Sequence, residues 1–244
     1  MNNLKSEIPR QIYDEIPCLN NMGYQKVDLD EYSKAFIEFA SGSTSKVLEI
    51  GCAYGGVTHQ VMARGGKIIA CDMEEKHLAL LQEFAPKKFL SNLELLQGVF
   101  PDAIKLEPAS IDAILISRVI HFLEGDEIKR GFDKLHNWLK KNGKLYLTVV
   151  SPYVESLIEE FLPIYEHRAK DGEEWPGIIR NHNELAHRHA PFLGNFLHVF
   201  DIPQFKKLLP EHGFNIDKIE YFDYPNEAIS SNNKGHIGFV ATKV

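Results

Sequence analysis

Apolar residues recur along this chain in two periods, and the alternation between those periods predicts the architecture. Residues 46–50, Lys-Val-Leu-Glu-Ile, form an apolar run of buried-strand length. Residues 57–64 read as helix, stop at Gly65-Gly66, and give way to a second apolar strand over 67–71 that ends on Asp72. Leu78, Leu81 and Phe84 mark a helix over 74–84, and residues 93–97 read as a strand. The almost fully apolar run 111–116 is expected of a central parallel strand covered on both faces. Ile128, Phe132, Leu135 and Leu139 recur at helical spacing over 126–141, with lysines in the last turn and Gly143 beyond as stop signals. The next strand is 144–150, closed by Pro152. Upstream, 30–40 is an amphipathic helix ending near Gly42, behind a loop-rich lead-in over 1–30.

Strands and helices alternating in this order imply an α/β fold with a doubly wound, mostly parallel sheet. The alternation stops after Pro152. Residues 153–199 hold two helical pieces and a Trp-Pro-Gly break, rich in histidine and aromatics. It resumes with a helix over 202–212, Gly213, and strands over 214–222 and 236–243, which suggest an antiparallel hairpin at the sheet edge. The expected organisation is an N-terminal lid and first helix over 1–44, a cofactor-binding core over 45–152 and 200–244, and a helical insertion after the fifth strand, 153–199, capping the substrate.

The turn after the first core strand reads Gly51-Cys52-Ala53-Tyr54-Gly55-Gly56. A strand–turn–helix–strand unit with a glycine-rich turn and a carboxylate at the second strand's tip binds a nucleoside-bearing cofactor. Its glycines let the backbone approach the ligand, and Asp72 can accept from ribose hydroxyls. The dinucleotide fingerprint is degraded, as Gly51-x-Ala53-x-x-Gly56. The alternative pattern is an acidic residue two before the first glycine, here Glu49-x-Gly51-x-Ala53-x-Gly55, with Ala53 where glycine is usual. At these residues the chain resembles the class I S-adenosylmethionine-dependent methyltransferases. A carboxylate at Glu49 suits a ligand with a free ammonium group, which S-adenosylmethionine has and a dinucleotide lacks.

That resemblance implies a Rossmann-like, seven-stranded sheet and S-adenosylmethionine as cofactor, with S-adenosylhomocysteine as product. Glu49, Gly51, Cys52, Ala53 and Gly55 would lie along the cofactor. Asp72 would take both ribose hydroxyls and Met73 would pack on the adenine. Gly98, Val99 and Phe100 follow the third strand and would hold the adenine by backbone and apolar contact, Val99 replacing the family's frequent aspartate. The block from Ser110 to Leu123 resembles the family's fourth strand and its exit, which puts Ser117 and Arg118 beside the cofactor and His121 near the methyl group. Similar enzymes fold their lead-in over the cofactor, with a tyrosine near the methionyl carboxylate. Tyr13 is the candidate, among Arg10, Tyr24 and Gln25.

Net charge is −7, which argues against nucleic-acid binding through a broad basic field. Cys18, Cys52 and Cys71 are few and odd in number, reading as reduced thiols of a cytoplasmic protein. The polar N-terminus is no signal peptide, and no apolar run reaches membrane-spanning length. His182, His187 and His189 lack a carboxylate or thiolate completing a ligand motif, so no metal is expected. Tyr153, Trp175 and His198 are the insertion's candidate contacts with a small or medium-sized acceptor, with His121 beside them. His121 and His198 are the candidate bases, needed only for an acceptor that carries a proton. Two rivals remain at this level: an NAD-dependent oxidoreductase, and a non-catalytic module that binds S-adenosylmethionine. Monomer and homodimer are both open.

Overall fold

The computed structural model describes residues 8–11, 15–41, 44–185, 193–224 and 232–244. The lead-in is not all loop. Glu15–Pro17 (β1) pairs antiparallel with Tyr24–Lys26 (β2). Glu31–Ala40 (α1) follows, its first turn capped by the Asp30 carboxylate on the Ser33 amide at 2.7 Å. Then come Lys46–Ile50 (β3), Thr58–Ala63 (α2), Lys67–Asp72 (β4), Glu75–Phe84 (α3), Leu93–Gln97 (β5), Ile111–Ser117 (β6), Gly125–Trp138 (α4) and Leu139–Val150 (β7). The insertion supplies Glu155–Ile158 (α5), Leu162–Lys170 (α6), Ile178–Ile179 (β8), His182–Leu185 (α7) and Leu197–His198 (β9). Ile202–Glu211 (α8), Phe214–Phe222 (β10) and His236–Lys243 (β11) complete the described chain.

Seven strands form one sheet in the order β10-β11-β7-β6-β3-β4-β5. β3 to β7 run parallel, and β11 lies antiparallel between β7 and the edge strand β10. This is the doubly wound α/β sheet with a closing hairpin that the apolar periods imply. Its inner strands are apolar because both faces are covered. On one face, strand residues such as Ile114 and Leu147 pack with Phe132, Leu135 and Phe205 of α4 and α8; on the other, Val47 and Leu115 pack with Phe36 and Val61 of α1 and α2. The insertion has a small core of its own, in which Leu157, Phe161 and Tyr165 meet Ile179, Leu197 and Val199.

One boundary departs from the expected one. The helix expected over 126–141 ends at Trp138, and Leu139 already pairs with Ile111 of β6. Pairing resumes only at Ala113 with Lys144, so 140–143 loop out, Asn142 taking φ +62°. Trp138 and Leu139 are both buried in the main core. Lys140 caps the loop with its ammonium on the Asp112 carboxylate at 2.9 Å.

Candidate active site

The strand order reverses around β3, whose neighbours are β6 on one side and β4 on the other. Ligands of open α/β sheets bind at such a switch point, beyond the strands' carboxyl ends. A cavity of about 270 Å³ lies there. Its floor is the turn after β3, where the Gly51 and Cys52 amides donate to the Cys71 carbonyl at 2.8 and 3.1 Å. Gly51 takes φ +79° and Ala53 φ +43°. The left-handed backbone at residue 53 explains why glycine is the usual choice there; alanine costs about 1–2 kcal/mol. Gly55, also left-handed, faces α3 and does not line the cavity, since a Cβ there would lie 2.7 Å from Leu81.

Glu49 lines the cavity yet is only 6 % exposed. Its carboxylate accepts from the Thr58 hydroxyl at 2.5 Å. Burial pushes its pKa up to about 7, with the Thr58 bonds opposing the shift and the Asp72 charge adding to it. The folded protein therefore binds a proton that the unfolded chain releases, and Glu49 costs stability as pH rises from about 4.5 to about 7. A cation placed in the cavity would recover that loss.

Asp72, at the tip of β4, is equally buried. One carboxylate oxygen accepts from the Ala53 amide at 2.9 Å. The other accepts from the Glu74 amide at 2.9 Å and meets His77 Nδ1 at 3.1 Å. A carboxylate offers about four acceptor sites, so the protein fills three and about one remains for a ligand.

Met73, Gly98, Val99 and Phe100 line the same end, Met73 and Val99 as exposed apolar rim. Ser117 and Arg118 line the opposite end. Arg118 takes φ +56° and donates to the Tyr24 carbonyl at 2.6 Å. Its guanidinium lies 5.6 Å from the Tyr224 ring, and Lys26 Nζ lies 4.8 Å from the same ring. The Tyr224 hydroxyl donates to Asp30 at 3.2 Å. Over the glycine turn, the Gln25 side-chain oxygen accepts from the Tyr54 and Gly56 amides at 3.0 and 3.4 Å. The roof is thus the β1–β2 hairpin together with Tyr224. Tyr24 and Gln25 were legible as lid candidates; Tyr224 was not, its one signal being an aromatic at the carboxyl end of β10.

Several expected contacts are not brought to the cavity. Tyr153, Trp175, His121 and His198 are absent from its lining, so the insertion 153–199 does not roof it among the described residues. Trp175 lies against Gly125 at the start of α4, where a Cβ would meet the indole nitrogen at 2.2 Å, and packs edge-on against His198. Tyr153 donates to Asp201 at 3.0 Å. His198 is buried, bonded through Nδ1 to the Leu123 carbonyl at 3.0 Å, and burial lowers its pKa to about 4. His121 is buried too, and desolvation with the nearby Arg118 charge lowers its pKa well below the usual imidazole range. Neither histidine is placed to take a proton in the cavity. Arg10 is exposed, and Tyr13, His187 and His189 lie outside the described residues; His182 is buried on α7.

Residues 47–143 match the family model described as a methyltransferase domain. A protein of Geobacillus sp. (strain WCH70), provisionally named a methyltransferase, is 24 % identical over 245 aligned positions, covering 86 % of this chain and 89 % of its own length. An S-adenosylmethionine-dependent methyltransferase from Methanosarcina mazei shares the fold with a TM-score of 0.65 at 16 % identity, over 89 % of this chain and 99 % of its own. The 1,6-didemethyltoxoflavin-N1-methyltransferase of Burkholderia thailandensis, solved with bound 1,6-didemethyltoxoflavin and S-adenosylhomocysteine, does so with a TM-score of 0.61 at 16 % identity, over 88 % of this chain and 77 % of its own. Among the described residues, no helix is long and apolar enough to cross a membrane.

Proposed function

We propose that this chain, whose residues 47–143 match a methyltransferase domain, is a class I S-adenosylmethionine-dependent methyltransferase that transfers the methyl group to a small or medium-sized metabolite in the cytoplasm. The observation that carries the assignment of the site is Glu49, a carboxylate buried at the cavity floor. Among the described residues no lysine or arginine pairs with it, and the cofactor's ammonium group fits that demand. The NAD reading has no use for that carboxylate.

S-adenosylmethionine supplies a methyl carbon that is already electrophilic, so the chain's own residues mainly bind, orient and exclude water. Glu49 draws the ammonium end toward the glycine turn. Asp72 fixes the ribose through its remaining acceptor site. Met73, Val99 and Phe100 present apolar surface to the adenine, and Gly98 leaves room for it. Ser117 and Arg118 flank the methionyl end. The acceptor enters at the end walled by Tyr24, Lys26, Arg118 and Tyr224, under the hairpin. Holding two reactants aligned lowers a barrier by roughly 7–11 kcal/mol. The polar, ring-bearing wall supports a polar acceptor with a flat or apolar portion.

Incubating the protein with S-adenosylmethionine and a metabolite extract tests this reading. A low-molecular-weight species should gain one methyl group in step with S-adenosylhomocysteine release. Methyl appearing only on protein or nucleic acid would overturn the small-acceptor assignment.

A further inference from the structure

The helix after Asp72 carries a polar residue on its buried face. His77 is 1 % exposed, in phase with Leu78 and Leu81 on the side of α3 that meets the core. Both of its ring nitrogens are engaged. Nε2 accepts from the Leu19 amide at 3.0 Å, and Nδ1 lies 3.1 Å from Asp72 Oδ1. An amide can only donate, so Nε2 presents its lone pair and the ring proton sits on Nδ1, directed at the carboxylate. Leu19 belongs to the loop between β1 and β2, where the Cys18 amide closes on the Gly23 carbonyl at 2.9 Å. Tyr54 of the glycine turn stacks edge-on against His77 at 4.9 Å and donates its hydroxyl to the Pro17 carbonyl at 2.8 Å.

We infer that His77 is a positioning residue which couples closure of the β1–β2 hairpin to the orientation of Asp72. The inference rests on the reading of Asp72 as the ribose ligand. The imidazole holds Oδ1, and with the Ala53 amide on Oδ2 this turns the last acceptor site of Oδ2 toward the cavity. The same ring is a docking point for the hairpin that roofs the cavity. A hairpin that lifts withdraws the Leu19 amide and frees the ring to rotate off the carboxylate. By reciprocity, a ligand that fixes Asp72 strengthens the hairpin's hold.

Two substitutions separate the halves of this link while removing the same ring. In His77→Asn the amide nitrogen stands near the position of Nδ1 and can still donate to Asp72, but nothing reaches Leu19. In His77→Gln the side-chain oxygen reaches the position of Nε2 and can accept from Leu19, but the donor to Asp72 is gone. Calorimetric titration with S-adenosylhomocysteine and hydrogen exchange of the Leu19 amide are measured on both, with melting temperature as the check on folding. His77→Asn should keep its dissociation constant within about threefold of the parent while Leu19 exchange rises at least about tenfold. His77→Gln should weaken binding about tenfold and keep Leu19 protection. Equal losses in the two variants, or no change in either, would overturn the coupling. Asp72→Ala on the same assay separates the failures: unchanged binding there removes the ribose reading, whereas a loss there beside equal His77 variants rejects the coupling alone.

Discussion

Gly51→Ala is expected to lower stability by about 3 kcal/mol and to weaken binding of S-adenosylhomocysteine about a hundredfold. Gly51 takes φ +79°, a backbone region that costs an L-residue about 1–2 kcal/mol. A Cβ at this position would also stand 2.3 Å from Cγ2 of Val119. Valine is stiff about χ1 and its methyl cannot simply swing away. Val119 lines the cavity, so any shift that relieves the overlap changes the cavity's shape. Gly65→Ala is the matched control. Its φ is +83°, yet a Cβ there meets nothing within 4 Å. It should cost only the backbone strain and leave cofactor affinity unchanged. Thermal unfolding and calorimetry on the two variants separate strain from intrusion. Equal affinity loss in both would contradict the packing argument.

Asp72→Ala is expected to weaken the same ligand about ten- to a hundredfold, the loss of one hydrogen bond to a charged group worth about 1.5–3 kcal/mol. The structure argues for one bond and not two, because the amides of Ala53 and Glu74 and the His77 ring already use three acceptor sites. The substitution also leaves the buried Ala53 amide, the part-buried Glu74 amide and the His77 ring N–H without their acceptor. Unlike a tip residue with no protein partners, Asp72 should therefore carry a stability loss as well, of about 2 kcal/mol. Kd and unfolding free energy measured on one preparation decide the matter. Unchanged affinity with lowered stability would make Asp72 a brace of the glycine turn and nothing more.

Much of this was legible in the sequence. The apolar runs of β3, β4 and β6 and the leucines of α3 and α4 are local patterns, and local patterns report local structure. What the sequence conceals are contacts that join distant segments through few residues. The β1–β2 hairpin is built from strands of three residues, too short for any alternation to register. Tyr224 reaches Asp30 across the whole chain. The aromatics of 153–199 read as the wall of an acceptor pocket, yet none of the described ones lines the cavity. Phe161 and Tyr165 serve the insertion's own core, and Trp175 covers the start of α4. Ala53 read as a mild departure from glycine; only its φ reveals that the position is left-handed. His77 did leave a signal, a histidine five residues after Asp72 on the apolar face of α3. Its meaning depended on the Leu19 amide, which no spacing could supply.

The central claim is that the cavity holds a ligand with an ammonium group against Glu49. Calorimetric titration with S-adenosylhomocysteine and with NAD, in buffers of different ionisation enthalpy, tests it most directly. Glu49 is held at about 7 by burial in the free protein, and a bound ammonium favours its ionised form. Affinity for S-adenosylhomocysteine should then rise about tenfold between about pH 5.5 and about pH 7.5, with a proton released on binding at the lower pH. NAD should give no heat of binding. NAD binding in place of the sulfur nucleoside, or an affinity that falls as pH rises through this window, would contradict the account.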